Sequence, residues 1–192
     1  MKKKYIVLVG GGGHCKSVID VIEQENRFQI VGIVDKREFL GTNVLNYKVI
    51  GYDDKLEMIF ETCKNAIVTM GHMISNTKRV RLFHIIKKIG FDIPTIISPL
   101  AYVSKYSSIG EGTIVMHHAL VNSNVRIGRN CIVNSKALIE HDTIIGDNCH
   151  ISTAAVVNGG VEIKENSFFG SNATSKEYIK CNGFIKAGSV AK

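Results

Sequence analysis

A histidine between two carboxylates is the first place in this 192-residue chain where side chains could do chemistry. His141 lies in the segment NSKALIEHD (residues 134–142), with Glu140 before it and Asp142 after it. A neighbouring carboxylate raises the basicity of an imidazole and can fix its tautomer, which suits a general base working near neutral pH. The same pattern also describes an exposed histidine in a charged turn, and spacing by itself does not separate the two. A second candidate is the run Gly10-Gly11-Gly12-Gly13-His14. It follows the apolar YIVLV of residues 5–9 and precedes the helically spaced SVIDVIEQ of residues 17–24. Between a strand and a helix, backbone N–H groups and the helix N-terminus make a phosphate site. The strict G-x-G-x-x-G spacing fails, because its third glycine would fall on Cys15 or Lys16, and a tight turn would also need glycine. Asp35 closes the next apolar run, IVGIV, about where a ribose-binding acid lies in nucleotide folds. His72 follows Gly71 after a third run, AIVTM, on the side of a parallel sheet where ligands bind, and is a substrate-binding candidate.

Composition narrows the classes. The formal charge is +7, with basic residues scattered apart from Lys2, Lys3, Lys4 and the cluster Lys78, Arg79, Arg81, Lys87, Lys88. Neither run is interleaved with aromatics, so nucleic acid is not an expected partner. No apolar run reaches membrane-spanning length. The N-terminus passes from lysines into a strand without a small-residue cleavage site, which reads as no signal peptide. The five cysteines are odd in number and none are paired as C-x-x-C. Cys131 and Cys149 stand eighteen residues apart and read as small buried fillers rather than a disulfide or a metal site. A reducing cytoplasm is expected, with no metal. His84, His117 and His118 stand in no matching motif and read as structural or solvated.

Two grammars position these residues. Residues 1–95 alternate strand and helix signals, with helices expected over 53–63 and 76–89, Asn76 as the cap of the second and Gly90 closing it. This is a small parallel sheet covered by helices, a Rossmann-like α/β domain. Pro94 and Pro99 sit where the grammar changes, so the domains are 1–95 and 96–192. From Ile97 onward the period is six. Ile97, Val103, Ile109, Val115, Val121, Ile127, Val133, Ile139, Ile145, Ile151, Val157, Ile163 and Phe169 are all apolar. At the chain's 45% hydrophobic content, chance does this roughly once in 30,000 tries. Small residues stand two before most of them, and Gly110, Gly128 and Gly146 recur at intervals of eighteen. That is a parallel β-helix of triangular coils, about five of them, with strands stacked at about 4.8 Å. The period slips at Ser175 and resumes at Ile179 and Ile185, so Thr174–Tyr178 is expected as a loop or shortened turn. Met116, His117, His118, Arg126 and Arg129 are expected to point outward for packing between prisms.

The segment VLVGGGGHCKSVIDVI, the V-D pair after the second strand and the six-residue repeat behind them resemble the bacterial nucleotide-sugar acyltransferases of the PglD/NeuD-like family. The resemblance covers essentially the whole chain. The family's active-site motif, N-x-x-x-x-I-E-H-[DE] followed by I-G and a second histidine, is matched by Asn134, Glu140, His141, Asp142, Ile145, Gly146 and His150. The resemblance implies that the β-helix is left-handed, that it forms a homotrimer, and that acetyl-CoA is the co-substrate, held between neighbouring prisms. It implies His141 as the catalytic base, assisted by Asp142. Gly11, Gly12, Gly13, His14, Asp35 and Lys36 would face the nucleotide of the sugar, with His72 and Asn134 also on the substrate side. His150, Gly159, Gly160, Gly170 and Ser171 would meet the cofactor. One departure is the C-terminal TSKEYIKCNGFIKAGSVAK, shorter than the family's glycine-rich, proline-containing last coils. The expected function is acetyl-CoA-dependent N-acetylation of a UDP-, GDP- or dTDP-linked 4-amino-sugar in the cytoplasm. Two rivals are a sialic acid-type O-acetyltransferase on the same fold and a non-catalytic β-helix protein that senses a nucleotide.

Overall fold

The computed structural model describes residues 3–192, so Lys2 of the basic N-terminal run lies outside the described residues. The chain divides into two units. One comprises Met1–His72 and Thr77–Pro94, the other Met73–Asn76 and Thr95–Lys192.

The first unit is built on strands β1 (Lys4–Val9), β2 (Phe28–Val34), β3 (Asn43–Val44), β4 (Tyr47–Gly51) and β5 (Asn65–Val68), in the order β3-β4-β2-β1-β5. All neighbours are parallel except the β3–β4 hairpin. Ile6, Val7, Leu8 and Val9 are all buried, which is why β1 reads as an unbroken apolar run. Helices α1 (Gly13–Glu25), α2 (Leu56–Thr62) and α3 (Thr77–Ile89) accompany the sheet. Helix α1 buries Cys15, Val18, Ile19 and Ile22, spaced for one helical face, and ends on Asn26 in the left-handed conformation. Three details depart from expectation. The β3–β4 hairpin carries too few apolar residues to announce itself. Helix α1 starts at Gly13, inside the glycine run, with Gly12 as its cap. The third concerns the chain's division: the short segment Met73–Asn76 groups with the second unit, where the Asn76 amide nitrogen donates to the Asn148 carbonyl (3.2 Å) and to Asn166 Oδ1 (2.9 Å), while α3 begins at the next residue, as expected with Asn76 at its start.

The second unit is the parallel β-helix. Its two-residue strands stack into three sheets of six, five and six strands, pairing at a spacing of eighteen residues except at the C-terminal end, where Phe168 pairs with Phe184 and Thr174 with Val190. The second residue of each strand points inward. Val121, Val133, Ile139, Ile151, Val157 and Phe169 are fully buried in one core. At about 1.5–3 kcal/mol per buried aliphatic, this column is the main driving force of the unit. Ala119, Cys131, Ala137, Cys149, Ala155 and Ala173 fill most corners, with Val125 and Val161 at two equivalent positions. A Cβ on Gly128 would lie 2.7 Å from the Asp147 backbone nitrogen, and one on Gly110 would lie 2.7 Å from the Gly128 carbonyl carbon. The eighteen-residue recurrence of glycine is therefore a stacking requirement. Three residues after most inward positions the backbone turns left-handed, at Asn124, Asn130, Asp142, Asn148, Asn166 and Asn172 among others. Asparagine and aspartate tolerate that conformation better than other non-glycine residues.

The expected loop at 174–178 is not there. Thr174–Ser175 is a strand in register with Val156, and Ser175 points inward at 2% exposure. Its hydroxyl accepts the Asn158 N–H at 2.8 Å and its carbonyl accepts the Asn158 amide at 2.6 Å, so a polar residue is satisfied where an aliphatic usually sits. The coil is shortened later, at Asn182–Gly183, where two successive strands lie closer in sequence than elsewhere. Met116, expected to point outward, is buried at 1% exposure. The five cysteines are buried free thiols. Among the described residues no helix is long and apolar enough to cross a membrane.

Candidate active site

In the first unit the glycine run is held by Asp35. Its Oδ2 accepts the Gly11 N–H and its Oδ1 accepts the Lys36 N–H, both at 2.8 Å. A Cβ on Gly11 would lie 2.7 Å from Asp35 Oδ2, so only glycine fits. Gly10, at φ +104°, donates to the Val34 carbonyl at 2.8 Å. Gly12 and Gly13 face open space, with nothing within 4 Å of where a Cβ would stand. The first turn of α1 carries no acidic residue, which leaves its positive end available to an anion. A cavity of about 400 Å³ is lined by Gly10–Gly13, His14, Asp35, Phe39, Met70 and Gly71. A second, of about 550 Å³, shares Gly10, Asp35 and Met70 and adds Lys36, Arg37, Tyr52, Lys78 and Arg81. There the Arg37 guanidinium donates to Tyr52 Oη at 2.8 Å and lies over its ring, which lowers the phenol's pKa. His72 is 8% exposed and lines neither cavity.

In the second unit His141 stands two residues past the strand Leu138–Ile139, at a corner, with its side chain half exposed. Its Nδ1 lies 2.8 Å from Asp142 Oδ2. A carboxylate only accepts, so Nδ1 carries the proton and Nε2 is left with its lone pair. Asp142, at φ 61°, is itself held: its Oδ1 accepts the Asn124 amide at 2.7 Å. That amide first, and the imidazole second, hold the Asp142 carboxyl below its ordinary pKa. Glu140 turns to the coil before it, accepting the Asn122 amide at 2.7 Å. The imidazole lies against Gly159 in the next coil. A Cβ there would come within 2.8 Å of both Cε1 and Nε2. Gly160, at φ +67°, donates to the His141 carbonyl at 2.9 Å, so that N–H is already taken. The ring of Tyr178, one coil further on, packs against Gly160.

The other candidates gather at a second corner. Asn134 donates its amide to His150 Nε2 at 3.2 Å, while its Oδ1 accepts the Ser135 N–H at 2.8 Å, which fixes the amide's orientation. His150 is 7% exposed, with its ring edge-on to Phe168. The Gly170 N–H is taken by the Ile185 carbonyl, and Ser171 Oγ lies 2.9 Å from Ser152 Oγ. His141, Asp142, Gly159 and Gly160 thus flank one edge of the face that carries Leu138 and Val156, and Asn134, Gly170 and Ser171 flank the other. Sequence reading overlooked Asn122, Asn124 and Tyr178. The signal for all three is the eighteen-residue spacing, counted from Glu140, Asp142 and Gly160.

Comparison with known proteins now bears on this geometry. The PglD N-terminal domain matches residues 5–86, and the bacterial transferase hexapeptide (six repeats) matches residues 106–141. The structure of PerB from Caulobacter crescentus, in complex with CoA and GDP-perosamine, is similar at 31% identity and a TM-score of 0.91, over 97% of this chain and 88% of that one. The chain belongs to the PglD-like family of sugar acetyltransferases. Another family member with a solved structure is the acetyltransferase domain of PglB from Neisseria gonorrhoeae, in complex with acetyl coenzyme A. It is 27% identical with a TM-score of 0.90, over 100% of this chain and 94% of that one. No curated protein matches the chain significantly.

Proposed function

We propose that this PglD-like protein transfers the acetyl group of acetyl-CoA to the amine of a nucleotide-linked 4-amino-sugar, directly and with His141 as general base. The observation that carries the proposal is the orientation of one imidazole. Asp142 holds Nδ1–H, and Nε2 lies at the Gly159 shelf with no protein partner among the described residues. The amine nitrogen attacks the thioester carbonyl carbon, and Nε2 takes the proton it sheds. The C–S bond then breaks, and the imidazolium returns the proton to the departing thiolate. Asp142 stabilises the imidazolium while it exists. PerB with CoA and GDP-perosamine, and the PglB domain with acetyl coenzyme A, support the choice of donor and acceptor. The open Gly12–Gly13 turn and the cavities beside it support the first unit as the holder of the acceptor's nucleotide.

The same reading includes a homotrimer working in the cytoplasm, where acetyl-CoA is available and thiols stay reduced. Tyr102, Leu120, Leu138 and Val156 form an outward apolar row on one face of the prism, with Tyr102 60% exposed. The next face presents Arg126, Glu162 and Lys180, with Ile144 as its one large apolar residue. The apolar row is the surface a neighbouring prism would cover, and the two candidate corners flank it.

A substrate panel tests the function. UDP-, GDP- and dTDP-linked 4-amino-sugars are compared with free and CMP-linked sialic acids, each with acetyl-CoA and a thiol-release assay. Turnover of an amino-sugar that falls about 10²–10⁴-fold in His141→Ala is expected. Turnover confined to sialic acids would make the enzyme an O-acetyltransferase. Binding of a nucleotide-sugar without any thiol release would leave a sensor.

A further inference from the structure

The coil that precedes His141 meets its segment residue for residue. Asn122 donates to Glu140 Oε2, the Ser123 carbonyl accepts the Asp142 N–H at 3.2 Å, and Asn124 donates to Asp142 Oδ1. Each asparagine grips a carboxylate eighteen residues on, and the two gripped carboxylates are those on either side of His141. We infer that Asn124 is a positioning residue for the base, acting through Asp142, on a template formed by Asn122, Ser123 and Asn124. The inference rests on His141 being the base proposed above.

The geometry explains why an amide is needed there. An exposed carboxylate beside a histidine can rotate and offer either oxygen. With Oδ1 occupied by the Asn124 amide, Oδ2 is the oxygen left facing Nδ1, and the imidazole is held with Nδ1 protonated. The amide supplies this without adding a second charge. A comparison lies on another edge of the same prism. There the Asn130 amide donates to Asn148 Oδ1 at 2.9 Å, a rung between two neutral side chains. That rung joins two coils and carries no charge. At Asn124 the rung ends on a carboxylate whose other oxygen holds a histidine, so its loss should register in chemistry as well as in stacking.

The conformation of Asn124 supplies a clean variant. Its φ is 58°, the left-handed region, which glycine adopts without strain, as Gly160 and Gly188 do at other corners. Asn124→Gly therefore removes the amide and leaves the backbone unstrained. Asn124→Asp keeps the shape but sets a second carboxylate against Asp142. Two readouts are needed. The first is the tautomer of His141, from the ring ¹⁵N shifts of histidine-labelled protein. The second is steady-state turnover with both substrates varied. Wild type should show a single Nδ1–H tautomer. Asn124→Gly should show a mixture, with kcat lowered about tenfold and both KM values within twofold of wild type. Asn124→Asp should lose more. The inference is overturned if wild type carries its proton on Nε2, or if both variants keep one tautomer and wild-type kcat. If wild type acetylates no nucleotide-linked amino-sugar, the proposed function fails. The tautomers of wild type and Asn124→Gly still decide whether Asn124 positions the ring.

Discussion

Gly159→Ala would perturb the proposed base, His141, by sterics alone. Gly159 does not lie in the left-handed region, so alanine fits its backbone, and nothing in the chain's own conformation resists the change. The new methyl would stand 2.8 Å from both Cε1 and Nε2 of His141 and 3.3 Å from Nδ1. Ordinary carbon contacts begin near 3.5 Å, so the ring must retreat by roughly 0.6 Å or more. It is tethered by a 2.8 Å hydrogen bond to Asp142, which stretches or breaks as the ring swings away. Misplacing a catalytic group by about 1 Å costs roughly 10²-fold, so kcat should fall about 10- to 100-fold. That corresponds to roughly 1.4–2.8 kcal/mol on the barrier. Stability should move the other way. Gly→Ala at a compatible φ stabilises by about 0.4–1 kcal/mol, and the side chain that is displaced is half exposed. The assay pairs thiol release under saturating substrates with a thermal melt. Turnover within twofold of wild type would show that the imidazole does not need the Gly159 shelf. A loss of turnover accompanied by a lower Tm would place the damage in the coil instead of in the base.

Four further outcomes are expected. Gly11→Ala should raise KM for the nucleotide-sugar several-fold and leave that for acetyl-CoA unchanged, because its Cβ strikes Asp35, whereas Gly12→Ala meets nothing; kinetics of the two variants side by side check this. The depressed Asp142 carboxyl keeps its charge at every pH above about 4, and the stability it contributes is lost only as pH falls through its lowered folded value. An acid limb of kcat/KM between pH 5 and 8 therefore belongs to another group, and should survive in Asp142→Asn. Burial pushes the Cys15 thiol up to about 11, and all five cysteines are buried, so native protein should not react with a thiol reagent at pH 8 until denatured. Leu138→Arg puts a charge in the outward apolar row and should give a monomer with little turnover, read by light scattering and thiol release.

What could be read in the chain beforehand follows the physics of each part. The inward column from Ile97 to Phe169 was legible because one face of a two-residue strand admits only apolar side chains, and a fixed coil length turns that rule into a period. Ser175 broke the reading because Asn158 satisfies its hydroxyl and carbonyl from the neighbouring coil, and no linear pattern reports such a partner. The β3–β4 hairpin was invisible for another reason: β3 is two residues long and β4 alternates. Around His141 the motif showed the residues adjacent in sequence, Glu140 and Asp142. The residues that hold them, Asn122 and Asn124, are neighbours only through the stacking of coils. In the first unit the need for glycine at position 11 was legible, but the reason for it, an aspartate carboxylate twenty-four residues later, was not.

The stacking of residues on those eighteen places away, which holds through all but the last coil, has a consequence for how such a chain can change length. Its contacts repeat by translation along one axis, so inserting or deleting a whole turn leaves each remaining turn with the same kind of neighbour. A gain or loss of one residue instead shifts every later side chain from the inside to the outside. The machinery around His141 occupies turns that begin at Asn122 and end at Tyr178. A duplicated turn placed before Asn122 would lengthen the prism and leave the imidazole of His141, its carboxylate and its glycine shelf as they are. The same eighteen residues inserted between Asp142 and Gly159 would separate the imidazole from the shelf it rests on. Length along the axis is therefore free to drift in such proteins, in steps of one turn, everywhere except through this short window.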